Sequence, residues 1–155
     1  MKTFRSLIDE ALPNITEIFP WDLEEKLNSS NDILLIDITE PAEYGTVHIK
    51  NSINVPRGVL ESSCDWGYED TVPVLVSARE REVIVICRSG NRSALAAFTM
   101  QLMGFNNVTS LKTGLRGWFD YELPLYNEFE QEVDEDDADA YFSKGPSAEQ
   151  MEPES

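Results

Sequence analysis

The sequence predicts an α/β fold, in which short strands alternate with helices along 155 residues. Two runs, Ile33 to Asp37 and Val83 to Cys87, each begin with four apolar residues. Continuous apolar runs of this length are typical of parallel strands that are buried on both faces. The clearest helical pattern covers Asn91 to Met103 and ends at Gly104, because glycine favours the turn that follows a helix. This alternation implies βαβ units with right-handed crossovers and helices on both faces of the sheet.

The remaining elements are weaker but follow in a regular order. An early helix is expected because Leu23 and Leu27 lie four residues apart, on one face. A late helix is expected from about Leu115 to Tyr121, and Pro124 stops anything beyond it. The weaker strand candidates are Ile15 to Phe19, Ser52 to Val55 and Val108 to Leu111. With the two strong runs, the chain therefore offers five strands, whereas residues 60–79 show no regular pattern.

Charge and composition exclude several classes of protein. The chain has 29 Asp and Glu residues against 12 Lys and Arg residues, which argues against binding to nucleic acid or to an anionic membrane surface. No segment approaches a membrane span and no signal-peptide pattern is present, so a cytoplasmic location is expected. Residues 127–155 hold 11 of the acidic residues and one basic residue. This bias predicts an acidic, flexible C-terminal tail.

The two strong strands end in chemically capable residues, Asp37 and Cys87, at the edge of the sheet where α/β proteins bind ligands. Cys87 leads into the clearest helix through the loop Arg88, Ser89, Gly90, Asn91 and Arg92. The N–H groups of this loop and of the first helical turn favour a thiolate at that position. Gly90 permits the tight turn of an anion-binding nest, and the two arginines add positive charge. The alternative, a buried and inert cysteine, does not explain two arginines around a glycine.

Cys64 and His48 lack such a setting. Cys64 is expected to be a bystander thiol, with a resolving or relay role as the alternative. His48 is expected to be a structural hydrogen-bonding residue. One histidine and two cysteines fit neither a papain-like Cys–His pair nor a conventional zinc site. We therefore expect no metal and no organic cofactor.

Five motifs occur in an order that points to a known family. The segments are Asp37 to Tyr44, Val47 to Pro56, Cys87 to Ser93, Met103 to Phe105 with Val108, and Thr113 to Trp118. In this order they resemble the motifs of the rhodanese-like sulfurtransferase family, whose active-site loop is Cys-Arg-x-Gly-x-Arg. The resemblance covers about residues 15–126. It leaves residues 1–14 as an N-terminal extension and residues 127–155 as the acidic tail.

The resemblance implies a three-layer αβα rhodanese-like fold with a central, mainly parallel five-stranded sheet. It implies that Cys87 takes sulfane sulfur from a donor such as thiosulfate, becomes a persulfide and passes the sulfur to an acceptor. Residues 88–92 would bind the substrate, and Asp37 would anchor the loop. Arg88 and Arg92 would either attract the anionic donor or tie down the loop. Arg57 either lines the pocket or is a solvated surface cation. The implied partners are a small-molecule donor and acceptor, and a sulfur-relay protein.

Some features depart from the family, and alternatives remain open. Thr39 stands where the family has an arginine, so an ion pair to Glu43 is expected to be lost. The spacing Cys-x4-Arg is one residue shorter than the Cys-x5-Arg of tyrosine phosphatases and arsenate reductases, which argues against those activities. Besides a sulfurtransferase, the sequence allows a persulfide carrier or a thiol-based signalling module with little turnover of small molecules.

Overall fold

The computed structural model describes residues 1–30 and 32–154, and its centre is a five-stranded sheet whose strand pairs are all parallel. The strands are β1 (Thr16–Ile18), β2 (Ile33–Asp37), β3 (Ile53–Asn54), β4 (Glu82–Ile86) and β5 (Val108–Leu111). Their spatial order is β1-β5-β4-β2-β3, so β4 occupies the middle of the sheet. The predicted α/β fold with a five-stranded parallel sheet is confirmed.

Helices connect the strands and cover both faces of the sheet. The α-helices are α1 (Phe4–Ala11), α2 (Pro20–Ser29), α3 (Pro41–Thr46), α4 (Leu60–Ser63), α5 (Pro73–Val76), α6 (Asn91–Leu102), α7 (Gly114–Asp120) and α8 (Glu135–Phe142). Short 3₁₀ turns lie at Leu12–Asn14, Arg57–Val59 and Ala148–Gln150. Of the helices within residues 1–30 and 32–154, none has the length and apolar character needed to cross a membrane.

Each face of the sheet is covered by its own apolar cluster, because side chains along a strand alternate between the two faces. Val83, Val85 and Cys87 belong to the cluster beneath α6. Ile84 and Ile86 belong to the opposite cluster, to which α2 and α7 contribute. Burial on both faces explains why residues 83–86 of β4 are continuously apolar rather than alternating.

The N-terminal residues pack onto this domain. Thr3 caps α1, and its Oγ1 accepts a hydrogen bond from the Ser6 N–H at 3.0 Å. Ile8 and Ala11 of the same helix are buried, and α1 contacts α6. The extension therefore covers part of the helix that follows the candidate catalytic loop.

The acidic segment differs from the predicted flexible tail. Residues 127–144 turn back over the domain, and α8 buries Ala138 and Phe142 in the apolar cluster on the α7 face. These two residues are four positions apart and therefore lie on one side of the helix, while the acidic residues of α8 stay exposed. Burial of that apolar face gives the segment its order despite its charge. The division of the chain at residues 15 and 127 stays a prediction.

Candidate active site

Cys87 lies directly after β4, at the carboxyl end of the central strand. Its Sγ atom is 3.1 Å from the Gly90 N atom and 3.3 Å from the Ser93 N atom, and both N–H groups donate to it. The Ser93 hydroxyl oxygen also lies 3.3 Å from Sγ. Cys87 and Ser93 are completely buried. Three polar groups therefore converge on a sulfur atom beside the N-terminus of α6.

The backbone of the loop is held by close packing against the start of α7. Leu115 and Arg116 donate their N–H groups to the carbonyl oxygens of Cys87 and Arg88, at 2.9 and 3.0 Å. Gly114, with φ +61°, lies so close that a Cβ atom there would be 2.5 Å from the Cys87 carbonyl oxygen. Gly90 also has a left-handed backbone, with φ +91°, and is the N-cap residue that precedes α6. The N-terminus of α7 thus fixes the position of the loop through these hydrogen bonds and this close contact.

Arg92 is held by an ion pair with Glu43. Its Nη1 and Nη2 atoms lie 2.9 Å from Oε1 and Oε2 of Glu43, a two-point contact. The hydrogen bonds from Arg92 hold the pKa of Glu43 below its usual value, and in return Glu43 raises the pKa of Arg92. Glu43 was expected to lack an ion pair, because Thr39 stands where the family has an arginine. It is instead paired with Arg92 of the loop itself.

Arg88 turns away from Cys87 and towards the C-terminal end of α8. Its Nη2 atom lies 3.0, 3.4 and 3.3 Å from the carbonyl oxygens of Tyr141, Phe142 and Lys144. Its guanidinium carbon lies 5.0 Å from the centre of the Tyr141 ring. The end of a helix carries partial negative charge, which suits a cation. The predicted substrate-binding cation thus holds the C-terminal helix in place, while Ser89 is exposed and Asn91 is half-buried.

Asp37 lies at the end of β2, beside β4, but its carboxylate contacts differ from the predicted anchoring of the loop. Oδ1 accepts hydrogen bonds from the Thr39 N–H at 2.9 Å and from the Thr39 hydroxyl at 2.5 Å. Oδ2 has no hydrogen-bond partner among the described residues. Burial raises the pKa of Asp37 from 3.8 to about 6, while the hydrogen bonds from Thr39 act in the opposite direction. Asp37 therefore orders the turn after its own strand.

Arg57 lies on the 3₁₀ turn after β3. Its guanidinium donates to Glu61 at 2.8 Å and to the Thr99 hydroxyl of α6 at 3.4 Å. Its backbone N–H donates to the Ile38 carbonyl oxygen at 3.0 Å. These contacts link the turn to the helix behind the loop, and the side chain is about one third exposed.

The part of the sequence that contains this site matches a known family. Residues 20–121, more than half of the chain, match the rhodanese-like domain. The chain belongs to the rhodanese-like domain family.

Relatives of this rhodanese-like chain have names that concern sulfur transfer. A putative sulfur carrier protein, YrkF, from Bacillus subtilis is 30% identical over 109 residues, which cover 70% of this chain and 54% of that protein. A protein named sulfurtransferase from Allochromatium vinosum is 28% identical over 113 residues, which cover 72% of this chain and 94% of that protein. The chain thus spans about half the length of the first relative and nearly all of the second.

A solved structure is also similar to this rhodanese-like domain. It is a protein of unknown function from Rhodopseudomonas palustris, described as a possible tyrosine phosphatase. The TM-score is 0.73 at 28% identity, and the match covers 81% of this chain and 95% of that chain.

The polar contacts of two buried residues of the rhodanese-like domain, His48 and Cys64, do not involve Cys87. His48 is buried, with Nδ1 2.7 Å from the Tyr44 carbonyl oxygen and Nε2 2.9 Å from Oε1 of Glu130. Its ring stacks on the Tyr44 ring with the centroids 3.9 Å apart. Cys64 is also buried, and burial raises the pKa of its thiol. These contacts agree with the structural role expected for His48 and with a less reactive thiol at Cys64.

Four residues make contacts around Cys87 or its loop that the sequence did not predict. They are Ser93, Ser110, Glu43 and Tyr141. Ser93 follows the loop directly, at a helix position whose N–H group is free to bond the sulfur. Ser110 follows Thr109 in the four-residue strand β5 and is completely buried. The available signal was a hydroxyl residue within a predicted strand of the sheet. No local pattern in the sequence pointed to Tyr141, because its partners Glu43 and Arg88 lie far away in the sequence.

Proposed function

We propose that this rhodanese-like domain is a sulfurtransferase that carries sulfane sulfur as a persulfide on Cys87. The observation that carries the proposal is the convergence of the Gly90 and Ser93 N–H groups on Sγ, at 3.1 and 3.3 Å. Preorganised N–H donors stabilise a sulfur anion without any rearrangement of the loop. The names of the relatives support sulfur transfer as the class of reaction.

The proposed reaction has two displacement steps, and both use the same sulfur atom of the protein. The Cys87 thiolate attacks the outer sulfur of thiosulfate, a new S–S bond forms, and the old S–S bond breaks as sulfite leaves with its electron pair. An acceptor such as cyanide then attacks the outer sulfur of the persulfide. The protein S–S bond breaks, thiocyanate leaves, and Cys87 returns to the thiolate. The chemistry uses no metal and no organic cofactor.

A persulfide carrier that serves a partner protein is the second candidate. Cys87 is completely buried, Arg92 is paired with Glu43, and Arg88 is bound to the carbonyl groups after α8. Both arginine side chains of the loop thus already make contacts within the protein, and this favours delivery of sulfur by a specific partner over capture of a free dianion. The Bacillus subtilis relative is named a putative sulfur carrier, which agrees with this candidate.

The loop geometry gives less support to a phosphatase. The segment from Cys87 to Arg92 has four intervening residues, and the Arg92 guanidinium faces Glu43 rather than an open anion site. A phosphate group needs a wider loop and an available arginine. Release of phosphate from an aryl phosphate, dependent on Cys87, would reverse this assignment.

Mass spectrometry of the full chain after incubation with thiosulfate tests the proposal. The protein is expected to gain the mass of one sulfur atom, and cyanide is expected to remove it. Cys87→Ser should abolish the gain, whereas Cys64→Ser is the matched control and should retain it. An equal gain by Cys87→Ser would contradict the assignment of the nucleophile.

Rates with three donors separate the two candidates. Thiosulfate, 3-mercaptopyruvate and a low-molecular-weight persulfide are compared under the same conditions, with cyanide as the acceptor. Steady turnover with thiosulfate or 3-mercaptopyruvate supports an enzyme that acts on small molecules. Slow turnover with all three, together with fast transfer from the Cys87 persulfide to a protein thiol, supports the carrier.

A further inference from the structure

Two buried hydroxyl groups continue the hydrogen bonds of Cys87 into the core. Ser110 lies on β5, the strand next to β4, and its Oγ atom is 2.7 Å from the Ser93 Oγ atom. Ser93 Oγ is in turn 3.3 Å from Cys87 Sγ. All three residues are completely buried. The sulfur atom, the first hydroxyl and the second hydroxyl thus form one chain that is closed to solvent.

The direction of this chain depends on the charge of the sulfur atom. A thiol donates its S–H to the Ser93 oxygen, and Ser93 then donates to Ser110. A thiolate accepts only, so Ser93 must donate to the sulfur. Since each hydroxyl has one proton, the Ser93 oxygen is then free to accept the proton of Ser110. Both hydroxyl groups rotate, and no proton changes its heavy atom along the chain. In the thiolate form each of the two hydroxyl protons has an acceptor within the chain.

From this geometry we infer that Ser110 is a positioning residue, which holds the Ser93 hydroxyl as a donor to the Cys87 thiolate. The inference rests on the proposed function, because it concerns the reactive form of Cys87. Donation from Ser110 polarises the Ser93 O–H group and strengthens its bond to the charged sulfur, since hydrogen bonds in a chain reinforce one another. It also opposes the competing rotamer, in which a helical serine donates to a carbonyl oxygen of the preceding turn.

The measurement is a pH titration of the thiolate ultraviolet absorbance of the full chain, with the Cys87→Ser signal subtracted. Ser93→Ala should move the titration midpoint upwards by about one pH unit, a tenfold loss of thiolate, because a bond to a charged acceptor is lost. Ser110→Ala should move the midpoint upwards by less, which lowers the thiolate fraction about two- to fourfold at pH values below the midpoint. Thr109→Val removes a neighbouring hydroxyl from the same strand and should titrate as the wild type.

A double variant distinguishes a positioning role from a merely structural one. If Ser110 acts through Ser93, Ser110→Ala should add no shift once Ser93 has been replaced by Ala. A wild-type midpoint in Ser110→Ala, or the same shift in both backgrounds, would overturn the inference. If Ser110→Ala does not fold, Ser110→Cys keeps the size with a weak donor and should show a shift of the same sign.

The titration uses no sulfur donor, so its outcome is independent of sulfur transfer. A shifted midpoint without any gain of sulfur would leave the inference in place and refute the proposed function. Sulfur transfer together with an unshifted midpoint in Ser110→Ala would overturn the inference and leave the proposed function in place.

Discussion

Replacement of Gly114 by alanine tests how tightly the catalytic loop rests on α7. The new Cβ atom would lie 2.5 Å from the Cys87 carbonyl oxygen and 2.6 Å from the carbonyl carbon and oxygen of Arg88. Backbone atoms cannot rotate away as a flexible side chain can. The loop must therefore shift, and the hydrogen bonds that Leu115 and Arg116 donate to it must lengthen.

The magnitude of the effect has two sources. A non-glycine residue in the left-handed region, here at φ +61°, costs about 1 kcal/mol. Overpacking against a rigid neighbour adds about 1–3 kcal/mol. Gly114→Ala should therefore lower the free energy of unfolding by about 3 kcal/mol, which corresponds to a Tm about 6–12 °C lower for a chain of this size.

Thermal and urea unfolding of the full chain measure this change, and Gly58→Ala is the matched control. A Cβ atom at Gly58 meets nothing within 4 Å, so the control should stay within about 0.5 kcal/mol of the wild type. Gly114→Ala should also slow persulfide formation, because the N–H donors move with the loop. A stability for Gly114→Ala within about 0.5 kcal/mol of the control would refute the packing argument.

Three further substitutions test the surroundings of the site. Because burial raises the pKa of Asp37 to about 6, protonated Asp37 contributes stability that is complete below its unfolded pKa of 3.8 and is lost as the pH rises through about 6. Urea titrations at several pH values should show that Asp37→Asn lacks this loss of unfolding free energy, which is on the order of 3 kcal/mol in the wild type. If the variant kept the pH profile of the wild type, that result would contradict the role of Asp37. Glu43→Gln should lower the free energy of unfolding by about 1 kcal/mol at neutral pH, because it removes the ion pair with Arg92. The effect is small because that pair is partly exposed. The pKa of Glu43 is lowered, so the wild type should lose this contribution as the pH falls below about 4.5, and a variant as acid-sensitive as the wild type would count against it. Phe142→Ala should lower the free energy of unfolding by about 3 kcal/mol and expose the segment around α8 to proteases. Phe129, which is 73% exposed, provides the control, and Phe129→Ala should have neither effect. Equal cleavage of the two variants would show that the packing of Phe142 does not hold the segment.

The sequence predicted the centre of the molecule well because local patterns determine it. The apolar run before Cys87 and the helix that begins at Asn91 are both readable within a few residues, and together they place the thiol at a helix N-terminus. Gly90 was predictable for the same reason, because a tight turn there requires a left-handed backbone. These features depend on neighbours in the chain and not on distant partners.

The partners of the arginines were not predictable in the same way. Arg88 bonds carbonyl groups more than 50 positions away, and Arg92 bonds a glutamate 49 positions earlier. An acidic segment with two buried residues, Ala138 and Phe142, gives only a weak helical pattern, so composition pointed to disorder. Which face of that segment would meet the domain depends on tertiary packing alone.

The engagement of Arg88 and Arg92 has a consequence for how charged reactants approach. The chain has a formal net charge of −17, and the cations nearest to Cys87 already have partners within the protein. N–H dipoles act over short distances, whereas the field of the whole protein reaches about 10 Å at 0.1 M salt. We therefore expect an approaching dianion to experience net repulsion until it is close to the loop. Added salt screens this repulsion, so rising ionic strength should accelerate the encounter, the opposite of the slowing expected at a pocket lined with free cations.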